Sequence, residues 1–198
     1  MTASSLDWPR SRRLALREFL ADDVEAVAGM HRDARVRALL IDDFPLQLRP
    51  LARLFIERMT TRYREHEGLG IWHASVLPDR TFAGWFSLMP MTARSGEIEI
   101  GSRLLPSVWG RGLAQEGCEL LLDHAADDLG LSSVWGICHP ANRSAQAVLA
   151  AMGFEPLGVM PYEGRPASHH RIGLNAWRDL RNTPRKTRLR RALLKASA

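Results

Sequence analysis

Residues Leu104 to Ala114 read LLPSVWGRGLA, and this stretch decides the fold. Upstream of it, Glu97 to Leu105 (EIEIGSRLL) has the alternating texture of a strand, and Pro106 ends that strand. Gly110 and Gly112 permit a tight turn with no side chain in the way. A helix from about Gly112 to Asp128 starts at once, so its unpaired first amides and its dipole point into the turn. A strand, a glycine turn and a helix N-terminus in direct succession form a receptacle for a phosphate or pyrophosphate, and Arg111 adds a positive charge beside it. A glycine pair alone is weak evidence, because many strand-to-helix turns need a glycine. The surrounding chain has to decide between a plain turn and a phosphate cradle.

Working outward, Leu14 to Glu18 (LALRE) alternates as a half-buried strand. Asp22 and Asp23 open a helix through about His31, with acidic residues where the helix dipole favours them. Ala34 to Ile41 reads as a further helical turn or two, ended by Asp42-Asp43-Phe44-Pro45. Pro50 suits the start of a long helix reaching about Glu65, with Leu51, Leu54, Phe55 and Met59 at helical spacing. Gly70 to Val76 and Thr81 to Met89 form a hairpin around a Pro-Asp turn. Downstream of the glycine turn and its helix, Ser133 to His139 is a strand and Asn142 to Met152 a short helix closed by Gly153. Phe154 to Met160 and His169 to Leu174 supply two last strands. An antiparallel meander followed by a strand–helix–strand unit predicts one α+β domain, a mixed sheet of about seven strands with helices on both faces.

The chain has 198 residues, enough for one well-cored domain and too few for two ordinary ones. No apolar run approaches the roughly 20 residues a membrane-spanning helix needs. The N-terminus carries no apolar stretch behind its charges, and the two cysteines, Cys118 and Cys138, suggest no disulfide framework. A cytoplasmic location is the expectation. The net charge of +5 belongs to the C-terminus: residues 181–198 hold seven basic residues and no acidic one, which leaves the first 180 at about −2. Residues 1–11 are expected to be disordered, 12–180 to form the domain, and 181–198 to be a basic tail. That tail is expected to be a solvated terminus, with RNA, ribosome or anionic membrane contact as the sharper reading.

About thirty residues after the glycine turn, HPANRSAQAVLAAMGF follows in register. With both pieces in order, the chain resembles the GNAT superfamily of N-acetyltransferases, whose phosphate loop reads Q/R-x-x-G-x-G/A. Trp109 stands where that pattern has Gln or Arg. Trp-Gly-x-Gly-x-Ala, with Glu-Ile-Gly before it and Glu116 after it, is similar to the branch containing ribosomal-protein N-terminal acetyltransferases. The opening LALREFLADDVEAV resembles that branch's first strand and helix, so the likeness covers roughly Arg12 to Trp177.

The resemblance implies the acyl-CoA N-acyltransferase fold, with a sheet splayed open between the strands Glu97 to Leu105 and Ser133 to His139. It implies acetyl-CoA as cosubstrate and no metal. A bulge in the first of these strands would free backbone at Leu104 and Leu105 for the pantetheine arm. The pyrophosphate would lie over Trp109, Gly110, Arg111, Gly112, Leu113 and Ala114. Asn142 would touch the pantetheine arm and cap its helix. The expected reaction is acetyl transfer to a primary amine, a protein N-terminus or a small amine, by direct attack in a ternary complex; a homodimer is among the assembly options.

Such a reaction needs a neutral amine, a stabilised oxyanion and a proton for the leaving thiolate. Glu99 is the candidate base, matching the glutamate of the family's Glu-Ile-Gly segment; a solvent-facing strand residue would show the same alternation. The family's usual acids are a tyrosine seven residues after the asparagine or a serine three after it. Here those positions are Leu149 and Ala145. Their absence keeps a second reading open, a non-catalytic acyl-CoA-binding or nucleic-acid-associated module on the same fold. The intact loop, Glu99 and Asn142 favour the enzyme. Cys138 and His139 are adjacent on a strand and so face opposite ways, which makes Cys138 a core residue rather than a nucleophile. His169-His170 lacks companions at metal-ligand spacing, and Trp72, Trp85 and Trp135 are expected in the core.

Overall fold

The computed structural model describes residues 10–92, 94–184, 186–188, 190 and 194. Among the described residues the elements are, in chain order, β1 (Leu14–Arg17), α1 (Val24–Arg32), α2 (Ala34–Arg37), α3 (Arg49–Glu65), β2 (Gly70–Val76), β3 (Thr81–Pro90), β4 (Ile98–Leu104), α4 (Leu113–Asp123), β5 (Ser133–Cys138), α5 (Arg143–Met152), β6 (Glu155–Tyr162), β7 (Arg165–Gly173) and α6 (Leu174–Leu180), and residues 186–188, 190 and 194 are helical as well. The strands form one sheet in the order β1-β2-β3-β4-β5-β7-β6. Every neighbouring pair is antiparallel except β4 and β5, so the sheet is mixed, as the α+β reading expects.

Strand alternation sends one side chain up and the next down, and each face has its own cover. Trp72 and Phe86, register partners on β2 and β3, are fully buried in a large core with Leu121 and Leu122 of α4, Leu149 and Met152 of α5, and Leu174 and Trp177 of α6. The next register pair, His73 and Trp85, faces the other way, where Trp85 packs under α1 and α3 with Phe19, Val27, Met30 and Ile56. A third, smaller cluster of Met91, Trp135, Tyr162 and Ala167 lies at the β5–β7 end of the sheet.

Two elements differ from expectation. Residues 174–180 form a helix, with Leu174 and Trp177 three apart and both buried, where the sequence suggested only a strand end. The last hairpin is longer than expected and turns on two residues, Glu163 and Gly164, both with positive φ (48° and 80°), the geometry that suits a tight antiparallel turn.

The ends of the chain fold back on the domain where they are described. Ser11 and Arg13 both bond to the Glu116 carboxylate on α4, and an Arg13 guanidinium N–H donates to the Arg111 carbonyl (2.9 Å). Most of the expected disordered segment, residues 1–9, lies outside the described residues. In the basic tail, Arg181 pairs with Asp123 and Asp127, and the buried Arg188 pairs with Glu119 (2.5 Å) over the Trp177 ring. Of the modest apolar side that Leu189, Ala192, Leu193 and Leu194 would give a helical tail, Leu194 is exposed and the others lie outside the described residues. No helix among the described residues is long and apolar enough to cross a membrane.

Candidate active site

β4 and β5 run parallel but hold register at only two positions, Glu99 with Trp135 and Ile100 with Gly136. Beyond Ile100 the strands part, while β4 stays paired to β3 as far as Leu104. The sheet therefore opens into a wedge whose two walls are residues 101–104 and 137–138.

The expected bulge in β4 is absent. Its register with β3 runs unbroken from Ile98 to Leu104, and backbone groups are freed by the parting of the strands instead. Leu105 gives its N–H to the Ala83 carbonyl (2.8 Å) and takes the Val108 N–H on its own carbonyl (3.1 Å). Since the groups of an antiparallel strand alternate in direction, Leu104 turns its backbone the other way, into the wedge. The Leu104 carbonyl is held there by the Trp109 indole N–H at 2.9 Å, with Trp109 about half exposed at the wedge mouth.

The turn after β4 has the form the sequence implied. Residues 106–108 make one 3₁₀ turn, after which Gly110 and Gly112 take φ values of 72° and 75° that only glycine adopts without strain. α4 begins at Leu113, and the first of its amides to find a helical carbonyl is that of Glu116, on Gly112 (3.2 Å). The amides before it lack intrahelical acceptors and sit at the positive end of the dipole. Trp109 differs, since its amide already bonds the Pro106 carbonyl (3.2 Å). Arg111 is exposed beside the turn. On the opposite wall, Asn142 caps α5 by accepting the Ala145 N–H (3.0 Å).

Glu99 sits at the closed point of the wedge. It shares a face with its register partner Trp135, the face opposite α4 and α5. Its carboxylate is largely buried, and Oε2 accepts the Tyr162 hydroxyl at 2.8 Å. Burial pushes its pKa above the ordinary glutamate range, the Tyr162 bond pulls it back, and the nearby charges of Glu163 and Asp42 push it up again. Asp42 and Glu163 also line an open cleft of about 320 Å³ with Ile41, Asp43, Phe44 and Arg165. Asp42 is fixed there by the largely buried Arg103, two β4 face positions beyond Glu99. Arg103 Nη2 donates to Asp42 (2.5 Å), and its Nη1 donates to His31 Nε2 (2.7 Å) while stacking over Trp85. His31 Nδ1 lies 2.8 Å from the Val27 carbonyl, so that nitrogen carries the proton and Nε2 is the acceptor. Burial lowers the His31 pKa to about 4, consistent with a neutral ring.

A glycine turn with free helix amides and a part-buried carboxylate thus flank one opening in the sheet. The family model "Acetyltransferase (GNAT) domain" matches residues 13–155. The chain belongs to the GNAT acetyltransferase family. Its N-acetyltransferase domain is of the kind that uses acetyl-CoA. A stretch of 93 residues is 32% identical to FsC-acetyl coenzyme A-N(2)-transacetylase of Aspergillus fumigatus, covering 43% of this chain but only 39% of that protein. The N-acetyltransferase YoaA of Bacillus subtilis is 24% identical over 75% of this chain and 82% of its own. Among solved structures, an acetyltransferase from Agrobacterium tumefaciens (21% identity, TM-score 0.71) covers 87% of this chain and 97% of its own. RimL, a ribosomal-protein α-N-acetyltransferase solved with coenzyme A (19%, 0.71), covers 85% and 98%. These structures establish the fold that the two chains share.

Within this GNAT domain, the two places where the family's acids were sought are filled in apolar fashion. Leu149 is buried against Gly136, so closely that a Cβ on the glycine would meet its side chain at 2.5 Å. Ala145 packs partly buried on the core. Cys138 is buried in the main core, where desolvation pushes its thiol up to about 11, and His139 accepts the Ala141 N–H (3.1 Å), so the two are not partnered. Tyr162, Arg103 and Asp42 escaped the sequence reading. The one local signal for Tyr162 was Glu163-Gly164, a turn dipeptide that ends β6 at that residue.

Proposed function

We propose that the protein transfers the acetyl group of acetyl-CoA to a primary amine by direct attack in a ternary complex. The carrying observation is the place of Glu99, part-buried where the sheet opens, between the amide-lined turn on one side and the Asp42–Glu163 cleft on the other. The amides of Gly110 to Ala114 and the Arg111 side chain hold the pyrophosphate. The backbone of Leu104 binds the pantetheine arm, and Asn142 closes the opposite wall. Acceptors enter through the cleft, whose carboxylates favour an ammonium ion.

An amine with pKa near 8 or 10 arrives protonated, and Glu99 Oε1 takes that proton. The freed nitrogen lone pair then forms the C–N bond at the thioester carbonyl, while backbone N–H groups of the parted strand stabilise the developing oxyanion. The C–S bond breaks as the attacking nitrogen sheds its second proton, which passes through solvent to the departing thiolate of pKa near 8.5, and Glu99 returns the first proton to solvent. Leu149 and Ala145 supply no acid, and a leaving group of this acidity needs little help.

The test is thiol release from acetyl-CoA against a panel of peptides with free N-termini, polyamines and amino acids. Amine-dependent release with acetylated product supports the reading. Tight coenzyme A binding with no turnover on any amine would favour the non-catalytic module instead.

A further inference from the structure

We infer that Tyr162 is a positioning residue for the base: its hydroxyl holds the Glu99 carboxylate in its ionised, inward-facing form, so that Oε1 is the atom left to take the amine proton. The inference rests on the acetyl-transfer reading above and adds to it a residue no motif supplies. Among the described residues, Tyr162 is the one hydrogen-bond partner of that carboxylate, at 2.8 Å on Oε2. The hydroxyl has little freedom to go elsewhere. Its ring is buried in the cluster of Met91, Trp135 and Ala167 and meets His169 edge-on at 6.1 Å. The backbone beneath it is set by the two-residue turn, since Tyr162 and Arg165 are the closing pair of the hairpin. The hairpin tip is in turn tied to the acceptor-side loop by the ion pair of Arg165 with Asp43. One short segment therefore reaches both the base and the wall of the cleft.

The chemistry favours a hydrogen-bond donor over an acid or base. Burial and the adjacent Glu99 carboxylate both push the Tyr162 phenol well above its ordinary range, so it stays protonated through any working pH. A phenol that keeps its proton serves as a fixed donor, and a donor to a carboxylate favours the ionised state. The other charges facing Glu99 act in the opposite sense: Glu163 on the hairpin and Asp42 on the loop are both anionic, and Arg103 is occupied by Asp42. The Tyr162 bond is thus what counters burial and two like charges.

The sign of the effect follows. A Tyr162→Phe variant keeps the ring in its cluster and removes the donor, so Glu99 gains its proton at a higher pH than in the native protein. Transfer requires the ionised form, so the acidic limb of the kcat/KM profile moves to higher pH. At the acidic end we expect a loss of about tenfold beyond whatever the alkaline plateau loses, with the KM for acetyl-CoA within about twofold of native.

The experiment has two arms. In the first, the full chain is labelled with carboxyl-¹³C glutamate, the Glu99 resonance is assigned from Glu99→Gln, and its titration is compared in native, Tyr162→Phe and Tyr162→Leu proteins. Both Tyr162 variants should move the Glu99 midpoint upward; a midpoint unchanged or lowered in the folded variants overturns the inference. The second arm measures pH–rate profiles on whichever amine of the panel is acetylated. A raised midpoint without any acetyl transfer would leave the Tyr162–Glu99 link standing and overturn the transferase reading. Transfer that depends on Glu99 but ignores Tyr162 at every pH would do the reverse.

Discussion

The two sides of the wedge are built by different means. The proposed coenzyme side is made mostly of backbone, with two glycines, the first turn of α4 and the turned-out Leu104 all within residues 104–116, joined by the Arg111 side chain and by Asn142 across the wedge. The proposed acceptor side is made of side chains carried by distant segments, with Asp42 from the loop before α3, Glu99 and Arg103 from β4, and Tyr162 from the last hairpin. Backbone sites are specified locally and tolerate side-chain change. Side-chain sites depend on the tertiary fold to bring their parts together, and each part can be lost singly. This difference predicts that substitutions on one side leave the other side's constants nearly untouched.

The largest expected effect separates the two sides at their meeting point. Glu99→Gln should lower kcat by about 100- to 1,000-fold while leaving the dissociation constant of coenzyme A within about twofold, as read by calorimetry and steady-state rates. A parallel loss of coenzyme binding would break the proposed division. Next comes Gly112→Val, which forces a β-branched residue into the left-handed conformation at the start of α4. We expect coenzyme A to bind at least about tenfold more weakly, with the Glu99 carboxyl titration unmoved.

How much of this was legible before the fold is itself part of the comparison. Among the described residues, all seven strands and five of the helices α1 to α6 could be placed from periodicity and punctuation, and the glycine turn from Gly110, Gly112 and the adjoining strand and helix. α6 was missed because a seven-residue helix with two buried positions three apart offers too little periodicity to tell from a strand end. Tyr162 was missed because the Glu163-Gly164 turn beside it marks only a strand end, while its partner lies 63 residues away in sequence. Arg103 reads as an ordinary polar strand position, and only the fold shows it largely buried between Trp85, His31 and Asp42. The bulge in β4, implied by resemblance rather than by residues, gave way to an unbroken ladder whose outer edge is freed by strand divergence.

A smaller effect probes the acceptor side alone. Asp42→Asn leaves the Arg103 charge buried without its counter-ion, and should destabilise the fold by about 3 kcal/mol in denaturant melts. The KM for the amine should rise while that for acetyl-CoA holds. The smallest probes the coenzyme side. The Trp109 indole occupies the Leu104 carbonyl, so Trp109→Phe frees that acceptor for the pantetheine arm. An indole hydrogen bond of about 1 kcal/mol corresponds to a tightening of about fivefold in coenzyme affinity. A weakening instead would mean that the indole itself contacts the coenzyme.

The most direct test of the account is the pH dependence of kcat/KM in the native protein set beside that of Glu99→Gln. The account predicts an acidic limb in the native protein with its midpoint above the ordinary glutamate range, set by burial of Glu99 and the charges of Glu163 and Asp42, and the disappearance of that limb in the variant. A variant that keeps both the limb and the native rate would contradict it.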